Sequence, residues 1–403
     1  MAIDFPASPT IGQQSNGFVF DGTKWKVSTT STAPSSISPT PPTNPTIGDL
    51  WFNSTDGTMY FYYNDGNTSQ WVESRAPIVA NGYYSPNYVI NGGMDIWQRG
   101  TSFSNPSDTA YNADRWRVVH DGTGATRTVS QQAFTAGTAP VAGYEGAYFL
   151  RYSVSNAGSG NTYQDLNHTI EDVRTLAGQT VTLSFWAKAD ATRSLNLLWR
   201  REWNNYAGAD QNSMGPALSL TTSWARYSVT YTVPSLSGIT AGTNSNVRLV
   251  FRFAAATTQT VDIWGVQLEA GAAATTFRRN ANSIQGELAA CQRYYFRKTA
   301  DSTYGIFGAG NCMSTGVGFE IRFPVNMRIV PSAVETTGTM ANYLGNSYTS
   351  SNQGVNSITL DTTLMSTTSA ALIAALVSPT ADKPFRITAA NTVSAYLGFS
   401  AEL

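Results

Sequence analysis

The chain has 403 residues, which at about 100–200 residues per domain makes several domains and excludes a single small module. Hydrophobic residues make up 41% and charged residues 13%, and 25 Lys+Arg against 26 Asp+Glu leave a formal charge of -1, so no basic surface for nucleic acid is advertised. Aromatics at 12%, with 34 Gly and 17 Pro in a chain rich in Ser and Thr, suit strands and turns better than charged amphipathic helices and point to an all-β, surface-displayed protein.

The opening Met1-Ala2-Ile3-Asp4-Phe5-Pro6 lacks a basic n-region followed by an apolar h-region. The most apolar late stretch, Ala370–Val377, is far short of a membrane span, so a soluble protein without its own secretory signal or membrane insertion is expected. Residues 1–30 are expected to form an N-terminal attachment segment. The run from Ser28 to Pro45, almost wholly Ser, Thr, Pro and Ala, cannot bury enough apolar surface to order itself, which predicts a linker over 31–46. Pro9-Thr10-Ile11-Gly12 running to Asp21-Gly22-Thr23-Lys24-Trp25, and Pro45-Thr46-Ile47-Gly48 running to Asp56-Gly57-Thr58-Met59-Tyr60, read as a degenerate and a complete copy of one short repeat. In the complete copy, 47–80, Leu50-Trp51-Phe52 and Met59–Tyr63 are strand-like runs joined through Asp56-Gly57, a hairpin signal, and Asn64-Asp65-Gly66 turns before Gln70-Trp71-Val72. A three-stranded β meander this small is not stable alone and is expected to dock on a partner protein or on other copies of itself. Its aromatics Trp51, Tyr60, Tyr62, Tyr63 and Trp71 pack within the meander, face that partner, or do both.

From Asn81 to Asn282 the pattern is a series of strands. Val181–Ala187 sets Val181, Leu183 and Phe185 on one face, and Tyr227–Val233 and Val247–Phe253 alternate likewise. Turns of Gly, Asn and Ser with no helical pattern between them predict two antiparallel sheets face to face, a jelly-roll sandwich over 81–282. Over 283–298, Ile284, Leu288, Cys291 and Tyr295 recur at helical spacing behind Ser283 as N-cap. This predicts one short linking helix, whose stripe packs on the sandwich or forms a seam between copies. Residues 299–403, with Gly316–Pro324 reading as a strand, are expected to form a C-terminal β-sandwich-like domain in which Ala370–Val377 is a short helix or a buried strand. The expected fold is therefore all-β: small N-terminal β meander, central antiparallel jelly-roll sandwich, one short linking helix and a C-terminal β domain.

Cys291 and Cys312 are too few for a disulfide framework and lack metal-clip spacing, so they read as free thiols. His120 and His168 stand in no metal-ligating arrangement, and neither a metal nor a cofactor is expected. Acidic residues are spread thinly, as Asp95, Asp114, Asp165, Glu171, Asp172, Asp190, Glu202, Asp210, Asp262 and Glu269, and no GxSxG, P-loop or zinc motif accompanies them. They read as solvated loop residues and strand-end ion pairs rather than a catalytic pair, so no enzymatic activity is expected. Sugar binding by a β sandwich uses exposed aromatic rings laid against a pyranose, with Asn, Asp, Gln and Arg reading the hydroxyls. The segment Trp199-Arg200-Arg201-Glu202-Trp203-Asn204-Asn205-Tyr206 has that composition, making Trp199, Trp203 and Tyr206 a candidate platform; alternatively Trp199 ends a core strand and Trp203 packs a loop. Trp186, opposite the Val181, Leu183, Phe185 face, joins the candidates as a residue on the outer surface, under a loop, or beneath a neighbouring subunit.

The run Asn87–Phe103, followed by Ala113-Asp114-Arg115-Trp116, resembles the opening of a domain found in bacteriophage tail-fibre and receptor-binding proteins. Phe185–Ala189 and Ile263–Gly271 look like the middle and closing strands of that domain, which in the family is similar to carbohydrate-binding jelly rolls. Gly286–Tyr295 and Phe323–Arg328 are similar to the pieces that follow it, and the Gly48–Phe52 to Trp71 unit resembles modules of structural proteins of marine and cyanobacterial phages. Long fibres carry a shaft of repeats or coiled coil; this chain has neither, which fits a short or capsid-mounted fibre. The resemblance implies a virion protein, a tail or capsid appendage that forms a homo-oligomer, a trimer in the family. It implies attachment to other virion proteins through the N-terminal region, with Trp51, Tyr60, Tyr62 and Trp71 as docking residues, and β domains presented to a host cell-surface glycan. Trp97 and Trp116 of the motif are read as core residues, with Arg99, Asp114 and Arg115 as hydrogen-bonding supports. The alternatives are a purely architectural fibre or decoration protein and, less favoured for want of β-helix repeats, a polysaccharide-degrading tailspike.

Overall fold

The computed structural model describes residues 6, 8–11, 13–15, 18–20, 22–27, 36–55, 57–64, 68–73, 86–141, 144–203, 207–347 and 352–403. They fall into two units, Met1–Tyr84 and Ser85–Leu403. In the first, β1 (Gln14–Ser15), β2 (Phe18–Phe20) and β3 (Trp25–Val27) make one antiparallel sheet. β4 (Ser36–Ser38), β5 (Leu50–Asn53), β6 (Thr58–Asn64) and β7 (Ser69–Glu73) make another, in that order. The expected three-stranded meander thus has a fourth strand, taken from the expected linker. Ser36–Ser38 runs parallel to Trp51–Asn53, and the Trp51 indole donates to the Ser38 carbonyl at 3.0 Å. That segment is ordered by its backbone completing a sheet edge and by the Ser38 hydroxyl, which accepts from the Trp51 indole at 3.0 Å, rather than by apolar burial, since Ile37 stays 69% exposed. β5 and β6 pair up to Asn53 and Thr58, so four residues rather than two make the turn, with Gly57 at φ 73°. Asp56 and Asp65-Gly66 of the expected turns lie outside the described residues.

The second unit opens with the sandwich: β8 (Ser102–Ser104), β9 (Trp116–His120), β10 (Thr126–Ala133), β11 (Tyr148–Asn156), β12 (Gln164–Glu171), β13 (Thr180–Ala189), β14 (Arg193–Trp203), β15 (Gly208–Ser213), β16 (Leu218–Leu220), β17 (Ala225–Thr232), β18 (Asn246–Phe253) and β19 (Gln259–Ala270). One antiparallel sheet has the order β17-β13-β19-β11-β10-β8; the other runs β15-β14-β18-β12-β9, with β16 beside β14. Period-two alternation sends Val181, Leu183 and Phe185 of β13, Leu195, Leu197 and Trp199 of β14, and Val247, Leu249, Phe251 and Phe253 of β18 into one core between the sheets. Each such side chain contributes about 1.5–3 kcal/mol of burial.

β19 serves both faces of its sheet through a bulge. Val261 and Ile263 point to the core, the register against β13 shifts between Ser184 and Trp186, and beyond Gly265 it is Val266 and Leu268 that point inward. Gly265 sits at φ 66°, and a Cβ there would stand 2.8 Å from the Trp186 ring. The inserted residue leaves Trp264 and Trp186 together on the outer face, ring centroids 5.4 Å apart. Phe149 and Phe277 complete a second apolar cluster there, packed against Phe134, Tyr144 and Trp224.

α1 (Ile284–Gln292) is capped by Ser283, whose Oγ accepts from the Gly286 amide at 3.0 Å. It is shorter than the expected 283–298, because Tyr295–Thr299 forms β20 and pairs with β28 (Tyr396–Ser400). Its buried side chains are Glu287 and Cys291, whereas Ile284 of the expected stripe is 39% exposed. Glu287 turns inward because its carboxylate accepts the amide hydrogens of Asn91 and Ala281. The C-terminal part adds β21 (Ile306–Asn311), β22 (Gly316–Arg322), β23 (Val334–Thr336), β24 (Tyr343–Ser347), β25 (Gln353–Leu360), β26 (Ser369–Leu376) and β27 (Pro384–Ala389). They form sheets β21-β27-β24-β25-β26-β22 and β20-β28-β23. Of Ala370–Val377, all but the exposed Val377 is strand, with Ala370, Leu372, Ala374 and Leu376 facing the core. The two edges of the six-stranded sheet curl toward each other: Cys312 bridges to Val317, and a Cβ on Gly310 would lie 1.8 Å from the Gly318 carbonyl oxygen.

The Asn87–Phe103 and Ala113–Trp116 segments join the two parts of this unit. Trp97 and Trp116 are in the sandwich core, and the Trp116 indole donates to the Asn91 carbonyl at 3.1 Å. Arg115 pairs with Glu402 and donates to the Thr169 carbonyl at 2.6 Å. The Arg99 guanidinium lies 3.5 Å from the centre of the Tyr295 ring, and Gln98 donates to the Tyr295 carbonyl at 2.7 Å.

Candidate functional site

The outward-facing residues of the second sheet alternate with its core and form cross-strand rows. Register places Thr169, Arg248, Arg200 and Gln211 side by side on β12, β18, β14 and β15. The next row holds Arg117, Asn167, Val250 and Leu198, and the one beyond it Val119, Asp165, Arg252 and Asn196. With Tyr163, Arg248, Arg200 and Gln211 of the first row, Asn167 and Val250 of the second, and Val119, Asp165 and Arg252 of the third line a groove of about 270 Å³.

Its charged groups are interlocked. Arg252 makes a two-pronged pair with Asp165, Nε to Oδ1 at 2.8 Å and Nη2 to Oδ2 at 2.7 Å. Glu202, in the row beneath Arg200, takes Arg200 Nε at 2.9 Å on one oxygen and Arg248 Nη2 on the other. Each carboxylate is thus held by an arginine of β18, and Glu202 also by Arg200 of its own strand. Burial pushes the Asp165 carboxyl above its ordinary range against the pull of Arg252. Burial, helped by the neighbouring Arg117 charge, lowers Arg248 to about 10 while Glu202 acts in the opposite direction, so Arg248 stays a cation at neutral pH. Asn167 is buried with Oδ1 unpartnered, and Arg248 Nε is likewise buried without a partner. A floor of amides, guanidinium groups and a carboxylate beside Tyr163 and Val250 offers both donors and acceptors on a backbone fixed by ladder hydrogen bonds, which suits recognition of a polyhydroxylated ligand.

The expected aromatic platform is not assembled. Trp199 has the parity of Leu195 and Leu197, is fully buried and packs 5.8 Å from the Tyr231 ring, so it is a core residue and presents no ring face to a ligand. Trp203 shares that parity and ends the strand half-buried, with its indole over Gly208, where a Cβ would lie 2.2 Å from Nε1. Tyr206 lies outside the described residues. Trp186 belongs to the outer aromatic cluster of the other sheet, 8% exposed, with the Arg226 guanidinium 4.8 Å from its ring. From Trp199–Tyr206 it is Arg200 that reaches the groove. The signal that would have found the site is parity: Arg248, Val250 and Arg252 interleave with core Leu249 and Phe251.

In the N-terminal unit Trp51, Tyr60, Tyr62 and Trp71 do come together. Trp51 stacks on Tyr60 at 4.8 Å and meets Trp71 edge-on at 5.7 Å, and Tyr62 lies 5.3 Å from Trp71. Trp51 is buried by this cluster, and the other three remain half-exposed. Cys291 and Cys312 are buried free thiols. His168 is fully buried, bonded to the Ile90 carbonyl at 2.9 Å, and His120 lies against the Pro106 carbonyl at 3.1 Å. Among the described residues no group of three or more His, Cys, Asp or Glu is placed to hold a metal ion.

No protein-family model and no curated protein matches the chain. Among solved structures, it is similar to a protein described as "CBM4 structure and function", at 19% identity over 45% of this chain and 99% of that one, with a TM-score of 0.29. It is similar to the CBM22-1 xylan-binding domain of a Paenibacillus barcinonensis protein, at 14% identity over 48% and 100% of the two chains, with a TM-score of 0.28. It is also similar to the enzymatically active domain of bacteriophage CBA120 tailspike protein 4, at 18% identity over 42% of this chain and 21% of that one, with a TM-score of 0.26.

Proposed function

We propose that the chain is a non-enzymatic bacteriophage virion protein, a tail or capsid appendage, whose groove on the second sheet binds units of a host cell-surface glycan. The observation that carries the binding role is the row Arg248, Arg200 and Gln211 beside Asn167, Asp165 and Arg252: polar side chains fixed by strand register, with Gln211 exposed, the arginines half-buried, Asn167 and Asp165 forming the floor, and both nearby carboxylates engaged by arginines. The virion setting is supported by the resemblance of Asn87–Phe103 and Ala113–Trp116 to tail-fibre proteins, and the aromatic cluster of Trp51, Tyr60, Tyr62 and Trp71 is the docking face for another virion protein. In the homotrimer that the resemblance implies, several weak grooves act together on a repetitive glycan and give avidity without any strong single contact.

The test is sedimentation of labelled full-length protein with intact bacterial cells of a host panel, competed with their extracted surface polysaccharide. Saturable, competed binding that Arg200→Gln and Gln211→Ala weaken is expected. Binding indifferent to both substitutions would remove the groove from the reading, and no binding at micromolar concentration would leave an architectural fibre. Removal of residues 1–80 is expected to abolish incorporation into particles while cell binding persists.

A further inference from the structure

Resting on the groove as the glycan site, we infer that the sugar unit it takes is acidic, with an oxyanion seated between Arg200 and Arg248. Like charges directly opposite on adjacent strands are destabilising, yet register sets these two arginines side by side and gives them one carboxylate, Glu202, to share. Asp165 relieves Arg200 only at a distance, because both of its oxygens are bonded to Arg252. Three guanidinium groups, Arg200, Arg248 and Arg252, line the groove against Asp165 and the Glu202 beside it, and the buried Arg117 nearby adds its charge to the field on Arg248, while the chain as a whole carries -1. Among the described residues, Arg200 bonds through Nε alone and Arg248 through Nη2 alone, which leaves the remaining N–H groups of both without protein partners.

A neutral sugar would use those donors but leave the repulsion in place. An oxyanion accepts from both forks and neutralises the pair, as planar guanidinium groups do with carboxylates and phosphates. A uronate-type carboxylate and a sulfate or phosphate ester on a sugar share this chemistry.

The experiment measures affinity of the full chain for polygalacturonate, its carboxyl-reduced neutral form, dextran sulfate and dextran. We expect the acidic polymers to bind at least about tenfold more tightly than their neutral counterparts, with the gap closing in molar salt, where screening shortens to about 3 Å. Gln211→Glu and Arg200→Gln, both at groove positions, are expected to lower affinity for the acidic polymers about tenfold more than for the neutral ones. Preference for dextran sulfate with no preference for polygalacturonate would support the oxyanion and assign it to an ester. Equal affinity for acidic and neutral polymers, insensitive to Gln211→Glu, would overturn the acidic ligand and leave a neutral-glycan groove standing. Retention of none of the four at millimolar sugar would overturn both.

Discussion

The guanidinium of Arg115 lies 3.5 Å from the centre of the Tyr294 ring while its Nη1 pairs with Glu402, and at 1% exposure it has no access to water. Removing one partner of a buried pair costs about 3–5 kcal/mol when it strands the other, and Glu402 keeps only the longer contact to Arg99 at 3.4 Å, so the cost here approaches that range. Arg115→Met is therefore expected to lower stability by that order and to split a single denaturant transition into two, the sandwich and the C-terminal part unfolding separately. One transition with an unmoved midpoint would show that this joint carries no coupling.

Two buried groups of the same region contribute to the acid response in opposite directions. Burial holds His168 neutral and lowers its pKa to about 3, so the stability it gives is present above pH 6.5 and is lost as pH falls toward 3. Burial raises Asp114 to about 6, so its contribution is present below pH 3.8 and is lost as pH rises through 6. Between pH 6 and 4 the two slopes, each up to about 1.4 kcal/mol per pH unit, oppose each other. Relative to the unmodified chain, His168→Gln should gain stability as pH falls through that window and Asp114→Asn should lose it. Unfolding midpoints at pH 6, 5 and 4 that moved in parallel for both variants would contradict the assignment.

Trp199→Ala removes a fully buried indole from between the sheets and should cost about 3–5 kcal/mol in denaturant unfolding. Whatever fraction remains folded should bind glycan with unchanged affinity, since the ring faces away from the groove. A loss of affinity in a variant of undiminished stability would reinstate Trp199 as a ligand contact.

Gly310→Ala places a methyl where the Gly318 carbonyl already stands, 1.8 Å away, and should destabilise the C-terminal part by about 1–3 kcal/mol or more. Gly338→Ala, with no atom within 4 Å of its Cβ, is the matched control and should shift stability by less than about 0.5 kcal/mol. Equal melting temperatures for the two would mean that the sheet edges part without cost.

The sandwich was legible where one face alternates cleanly: Val181–Ala187 and Val247–Phe253 lie within β13 and β18. Helix length was not, because Tyr295 continues the helical spacing of Cys291 while its backbone partner, Ser400, lies more than a hundred residues away. The same limit hid β4, whose order comes from the edge of β5 and the Trp51 indole rather than from apolar burial of Ser36, Ile37 and Ser38. For the groove, aromatic composition drew attention to Trp199, when the alternation that buries Trp199 necessarily turns Arg200 outward. Which outward arginines share a row depends on register between β14 and β18, and no local pattern encodes that.

Glu402 follows Arg115 by 287 residues. At translation rates of roughly 5–20 residues per second, an interval on the order of 15 to 60 s separates the emergence of the two. Throughout that interval a nascent sandwich holds an arginine site that it cannot neutralise, and Glu171 waits likewise for Arg293. Until Glu402 arrives, the Arg115 guanidinium lacks the carboxylate that neutralises it in the folded second unit.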